Sequence, residues 1–386
     1  KNFTIDNIVL SHENQKIDLN GEIKGNDYKD LVLNFEDVDI NKITPLNSKF
    51  VFDGNLNGRV NYKQNKNVYQ PTASIKIDHL VMNKTELGTL NFDISGDESF
   101  RKFTVNSSIQ NGFTESFRAN GTFAVENKET IMDMSLKLEG FNLATLGTIG
   151  GDVLSNVRGS VSGNAAVVGN LKKPEINGRL YVEKAGMTVP YLNVDYELSD
   201  RTVIDLTNEK FLFRNNQLTD TKFATKGLLN GSIEHNNFTD WKLDLTITSK
   251  RLLALDTKDS DDAAYFGTAF INGSASIRGP VEGLFIKVDA KSEKGTEVKI
   301  PINNVQSVGE SSWIHFVTPQ EKYNLANGIE EKTKNYNGLE LEFDFDITPD
   351  AEVEVILDRN SGHGMKGKGY GSLLFKINTL GKFNMW

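Results

Sequence analysis

Hydrophobic and polar residues alternate along most of this chain. In the segment LELEFDFDI, Leu339, Leu341, Phe343, Phe345 and Ile347 share one parity, while Glu340, Glu342, Asp344 and Asp346 take the other. Successive side chains of a strand point to opposite faces, so this pattern predicts a strand with one apolar and one wet face. The same split recurs at Leu243, Leu245 and Ile247, at Leu284, Ile286 and Val288, and at Met132, Met134, Leu136 and Leu138. Near the C-terminus Leu373, Phe375 and Ile377 continue it. Long runs of helical period are almost missing. The expectation is an all-β fold of half-buried strands of antiparallel type.

Internal repetition adds a second level. Asn20-Gly21, Asn120-Gly121 and Asn230-Gly231 each read as a tight-turn signal, and each precedes an alternating strand. A short apolar connector follows each strand: Val38 to Ile43, Phe141 to Leu146, and Leu252 to Leu255. Glycine strands come next, at Gly54 and Gly58, at Gly159 and Gly163, and at Gly267 and Gly273, each followed by a proline, Pro71, Pro174 or Pro280. These features predict one elongated repetitive β-domain over residues 1–386, with approximate units 20–119, 120–229 and 230–386. A unit of this kind cannot close its apolar face alone, so neighbours stack into a continuous sheet.

Gly362, Gly364 and Gly367 spell a literal G-x-G-x-x-G. A dinucleotide site needs a strand before those glycines and a helix opening on the last. Here Gly367, Gly369 and Gly371 share the parity of Leu373, Phe375 and Ile377, which is strand periodicity. The motif therefore predicts a strand in which glycine marks a bend or a close approach, and no phosphate cradle.

Composition narrows the function classes. The chain has 386 residues, 33 glycines and 23 phenylalanines against 8 prolines, which suits strands and tight turns. A net charge of −9, spread along the sequence without a basic stripe, argues against nucleic acid. The absence of cysteine removes disulfides and thiolate metal sites. No run approaches the roughly 18 apolar residues of a membrane helix, and Lys1 leads directly into alternating sequence with no leader pattern.

Candidate chemistry is sparse. His12, His79, His235, His315 and His363 are scattered without ligand spacing, and Asp256, Asp259, Asp261 and Asp262 lack the spacing and turn glycine of a calcium loop, so they read as an exposed acidic loop. There is no G-x-S-x-G elbow and no pair of carboxylates in contrasting environments, so no enzyme is expected. Pro301, Pro319 and the charged residues Glu330, Glu331, Lys332 and Lys334 bracket a surface loop with a short helix near residues 321–326. The apolar faces remain. They form either the sealed core of a sandwich or β-helix, or a water-free groove that accepts acyl chains.

Two runs carry a resemblance. Asn230-Gly-Ser-Ile-Glu-His continues through Trp241-Lys-Leu-Asp-Leu, and Tyr265-Phe-Gly267 continues through Ile271-Asn-Gly273 to Gly279-Pro280. With Gly295 to Pro301 and the glycine strand from Gly364 to Phe375, they resemble the C-terminal region of the TamB (translocation and assembly module) family, in the style of its Bacteroidota members. The likeness covers roughly residues 120–386. It implies an AsmA-like, bridge-like lipid-transfer fold: a long curled, β-taco-like antiparallel sheet with a hydrophobic trough.

By that resemblance the trough lining comprises Leu243, Leu245, Ile247, Leu284, Ile286, Val288, Leu339, Leu341, Phe343, Phe345, Ile347, Leu373, Phe375 and Ile377. The function implied is shielding of phospholipid acyl chains between inner and outer membrane, with no cofactor and no metal. The implied partner is an Omp85-family outer-membrane barrel protein. The location is the periplasm, and the inner-membrane anchor and barrel-docking tail belong to parts of the full-length chain outside this segment. The rival function is a scaffold or chaperone that pairs its sheet edge with barrel strands by β-augmentation. A further rival is an extracellular adhesin or glycan binder with a sealed core.

Overall fold

The computed structural model describes residues 2–43, 50–150, 154–236, 239–260, 265–301, 339–358, 362–378 and 383–385. The all-β expectation holds. Among the described residues the only helical pieces are two 3-10 turns, Ile40–Lys42 and Leu143–Gly150. The strands belong to one hydrogen-bonded sheet, and the chain gathers into two compact units.

The first unit comprises Lys1–Thr188, Tyr196–Leu218 and Leu229–Leu243. It begins with an antiparallel meander: β1 (Asn2–His12), β2 (Gln15–Lys24), β3 (Tyr28–Asp39), β4 (Phe52–Asn65), β5 (Val68–Met82) and β6 (Thr85–Gly96). The meander continues through β7 (Lys102–Asn111), β8 (Thr114–Glu126), β9 (Glu129–Asn142), β10 (Ser155–Asn170) and β11 (Lys173–Val189). Each of these strands pairs with the next. Then come β12 (Val194–Leu198), β13 (Thr202–Asn208), β14 (Lys210–Asp220), β15 (Lys226–Asn236) and β16 (Thr239–Thr257). Alternation decides the faces. Leu31, Leu33 and Phe35, and likewise Ile75, Phe92, Ile94 and Phe123, are only half-buried. A closed cluster forms where Ile40 of the first 3-10 turn meets Leu80, Leu87 and Ile109, with Phe52, Phe117 and Phe141 against them.

The Asn-Gly pairs are not turns. Gly21 lies inside β2, Gly121 inside β8 and Gly231 inside β15. A Cβ at Gly21 would fall 2.1 Å from the Asp30 carbonyl oxygen, and one at Gly121 would fall 2.1 Å from that of Asp133. The glycines admit a close approach of the neighbouring backbone, which lets the sheet coil tightly there. Sequence reasoning used the turn preference of Asn-Gly where the strand-interior role of glycine prevailed. The first two connectors do end in 3-10 turns, whereas Leu252, Leu253 and Leu255 stay within β16.

The second unit comprises Val189–Asp195, Thr219–Leu228 and Asp244–Trp386. Its strands after β16 are β17 (Phe266–Pro280), β18 (Leu284–Ser292), β19 (Glu297–Pro301), β20 (Leu339–Ile347), β21 (Glu352–Asp358), β22 (His363–Gly367), β23 (Gly371–Asn378) and β24 (Phe383–Met385). Here the pairing departs from the antiparallel expectation. β18 runs parallel to β20, and β19 parallel to β21. Parallel neighbours need a long connection between them, and residues 302–338 supply its length. The loop and short helix expected there lie outside the described residues.

A shared bend organises this unit. β17 pairs with β18 over Ile271 to Arg278 and with β19 over Phe266 to Thr268. The interruption at residues 293–296 is matched by one at 348–351 between β20 and β21, and one at 368–370 between β22 and β23. Hydroxyls repair the hydrogen bonds that the bend breaks. Thr296 Oγ1 accepts the Phe270 N–H at 3.0 Å and lies 2.7 Å from the Glu293 carbonyl oxygen. Ser292 Oγ accepts the Thr348 N–H at 2.8 Å. The glycine-rich run therefore crosses the bend. Gly367, Gly369 and Gly371 have no atom within 4 Å of a notional Cβ, so they mark the break between strands and not a close approach.

Candidate functional site

The bent sheet of the second unit forms an apolar cleft. Its 110 Å³ cavity is comparable to the ~150 Å³ engineered void that binds benzene, so it suits a segment of hydrocarbon chain and not a whole lipid. One wall comes from β20 and β23. Register places Val288 opposite Phe343 and Ala290 opposite Phe345, and places Phe345 in turn opposite Leu373. Phe343, Phe345, Ile347 and Leu373 line the cavity. The two phenylalanine rings stack with centroids 5.6 Å apart and planes 11° from parallel. Asp344 and Asp346, of opposite parity, are exposed.

The other wall is built from Val298 and Ile300 of β19, Val353 of β21 and Ala254 and Leu255 of β16, with Phe270 and Ile271 of β17 near the bend. Ser292 and Thr296 also border the cleft, but their hydroxyls are engaged by the bend. Tyr265 borders it too, its hydroxyl donating to Tyr191 at 2.9 Å. Burial pushes the Tyr265 phenol well above the usual tyrosine range, with the neighbouring Tyr191 adding to the effect, so it stays protonated.

The reverse face of the same wall is ionic. Lys287 of β18 and Lys376 of β23 clasp Glu342 of β20 at 2.8 and 2.7 Å. Hydrogen bonds from Lys287 and then Lys376 hold the Glu342 carboxyl below the usual range. Across the bend, Lys299 meets Glu354 at 3.1 Å, and Lys366 pairs with Glu352 and lowers its carboxyl pKa in the same way. Charges on one face and hydrocarbon on the other follow directly from strand alternation.

The remaining residues expected in the lining are dispersed. Leu284, Val288 and Leu341 are packed at 3%, 5% and 3% exposure and do not border the cavity. Ile286 and Ile247 are half-buried away from it, Leu245 is buried, and Leu243 falls in the first unit. The side chains of Leu339, Phe375 and Ile377 lie outside the described residues. Sequence reading missed Val298, Ile300 and Val353, although alternation in EVKIP and EVEVILD carried that signal. Leu192, on the turn after β11, carried none.

Other motifs resolve structurally. His235 is buried against Phe211 and Trp241, with ring centroids 5.5 and 5.1 Å away, and burial lowers its pKa. Asp256 is not a free loop carboxylate: it pairs with Lys222 at 2.5 Å and accepts from Thr268 at 3.0 Å. Asp261, Asp262 and His315 lie outside the described residues. Gly364 and Gly367 sit in β22 with no helix after them, as a nucleotide site would require. Among the described residues no group of His, Cys, Asp and Glu could hold a metal. No described helix is long and apolar enough to cross a membrane.

No curated protein and no solved structure matches the chain. A family model does: residues 214–386 match the TamB C-terminal domain. Most of the cleft is built from this stretch, the exception among its lining residues being Leu192. That match ties the chain to the translocation and assembly module and to outer-membrane biogenesis.

Proposed function

We propose that this chain is a periplasmic bridge segment that shields phospholipid acyl chains on their way between inner and outer membrane. The observation that carries the reading is the cleft itself. Phe343, Phe345, Ile347, Val353 and Leu373 present hydrocarbon to an open cavity, and the hydroxyls at its bend are satisfied by the protein. Water gains few hydrogen bonds in such a space, whereas a methylene leaving water for it gains about 0.8 kcal/mol. Many similar apolar sites in series let a chain slide without a deep trap. In this reading the approximate units 20–119, 120–229 and 230–386 supply that series, and an Omp85-family barrel protein is the partner that receives the lipid. The process is passive and non-enzymatic, so direction comes from an outside source or sink.

The test is a photo-crosslinking residue placed at Phe345 and, separately, at Asp344, in protein made in cells. Phospholipid adducts at position 345 and none at 344 are expected. Equal labelling at both positions, or none at 345, would contradict the proposal.

A further inference from the structure

The wet face of the first unit holds a cavity of its own. A 280 Å³ depression lies across β4, β5, β6 and β7, and Ala73 and Ile94 are the apolar residues in an otherwise polar lining. Strand register builds it. Arg59, Ser74, Asp93 and Asn106 stand opposite one another in turn on the four strands, and Asn61, Thr72 and Ser95 form a second row beside them. The short side chains of Thr72, Ser74 and Ser95 leave room between the longer ones of Arg59, Asp93 and Asn106.

Charge marks this place out. Arg118, Arg158, Arg179 and Arg214, on other strands of the same unit, each meet a carboxylate. Among the described residues no carboxylate pairs with Arg59, although Asp93 stands only two strands away. The guanidinium donates one N–H to Asn61 at 2.7 Å, and Asp93 accepts one bond from Ser74 at 2.6 Å. Most donors of the one and acceptor sites of the other are left for a ligand. An anion drawn to Arg59 would be repelled by Asp93, and a cation drawn to Asp93 would be repelled by Arg59. Neutral hydroxyl groups satisfy both, because each can accept from the guanidinium or donate to the carboxylate. The polar row also continues beyond the cavity: Asn106 stands opposite Asn120, and Asn120 opposite Ser135. Polar side chains thus recur at about 4.8 Å per strand from β4 to β9, an interval close to that of the pyranose rings along an extended glycan.

Independently of the acyl-chain reading, we infer that this depression binds a segment of a neutral, linear glycan, with Arg59 and Asp93 as its hydrogen-bonding anchors and the polar row guiding the chain across the strands.

Isothermal titration calorimetry of the full chain with cellotriose, maltotriose and chitotriose, and with glucose and phosphoethanolamine for comparison, tests the inference. At least one trisaccharide is expected to bind, and more tightly than glucose. Arg59→Ala and Asp93→Asn each weaken that binding by about tenfold or more, as loss of a hydrogen bond to a charged group does. Arg278→Ala, which removes a guanidinium paired with Asp244 in the second unit, leaves it unchanged. Arg59 and Asp93 are both exposed, so the melting temperatures of their variants stay close to wild type. No binding of any trisaccharide, binding indifferent to both variants, or glucose bound as tightly would overturn the inference. Phosphoethanolamine bound in place of the saccharides would also overturn it and mark the two charges as a site for zwitterions.

Discussion

Phe345 of β20 stands directly opposite Leu373 of β23, and both line the same cavity. Aligned cross-strand pairs of this kind contribute about 0.2–1 kcal/mol beyond the separate residues. A double-mutant cycle with Phe345→Ala and Leu373→Ala, read by urea unfolding, is expected to return a coupling in that range. Strict additivity would mean that the two side chains do not meet in solution.

Glu342 supplies a pH test. Its folded-state pKa is depressed by hydrogen bonds from Lys287 and then Lys376, so the ionised form stabilises the fold. Such a contribution is fully present above the unfolded pKa of Glu and is lost as pH falls through the depressed folded value. Glu342→Gln is therefore expected to lower the urea midpoint near pH 7, and the gap from wild type should close as pH drops below the ordinary Glu range. A gap that widened on acidification would reverse the assigned sign.

The bend depends on Thr296, whose hydroxyl accepts the buried Phe270 N–H and stands within bonding distance of the Glu293 carbonyl. Thr296→Val keeps the shape and strands the buried Phe270 N–H, while the Glu293 carbonyl keeps the backbone N–H of residue 296, and the loss costs about 1–3 kcal/mol. Thr296→Ser should stay close to wild type. Chemical denaturation of the two variants checks this, and equal losses would show that the methyl group and not the hydroxyl matters.

Two glycines separate close approach from open bend. Gly121→Ala drives a Cβ to 2.1 Å from the Asp133 carbonyl, so the strands must shift at a cost of about 1–3 kcal/mol. Gly367→Ala meets nothing within 4 Å and is expected to change stability by less than ~0.5 kcal/mol. A melting series of the two variants distinguishes the positions, and similar losses would contradict the assignment.

Much of the fold was legible because strand period is a local signal. The split between Phe343 and Phe345 on one side and Asp344 and Asp346 on the other came directly from parity, and so did the absence of a helix after Gly367. What depends on distant partners was not legible. Asn120-Gly121 reads as a turn unless one knows that the Asp133 carbonyl approaches its Cα, and the parallel pairing of β18 with β20 depends on a connection whose path no local pattern encodes. The lining was readable only in part for the same reason. Parity put Leu284 and Leu341 on the apolar face, and both are buried, but packing within the sheet and not parity decides which apolar residues remain open to a cavity. Leu192 reaches the cleft through hydrogen bonds to Asp256, more than sixty positions along the chain.

The central claim is that the cleft holds acyl chains, and native mass spectrometry of protein purified from cells tests it most directly, with Phe345→Asp as the comparison. Phe345 borders an open cavity and is only half-buried, so a carboxylate there can stay hydrated while an acyl chain beside it would have to strip that water, at several kcal/mol. The account predicts co-purified phospholipid on the wild type and on Asp344→Asn. It predicts marked loss of that lipid from Phe345→Asp, with the circular dichroism spectrum and melting temperature nearly unchanged. A wild-type protein free of lipid, together with a Phe345→Asp variant that unfolds, would contradict it and identify the apolar face as a sealed core.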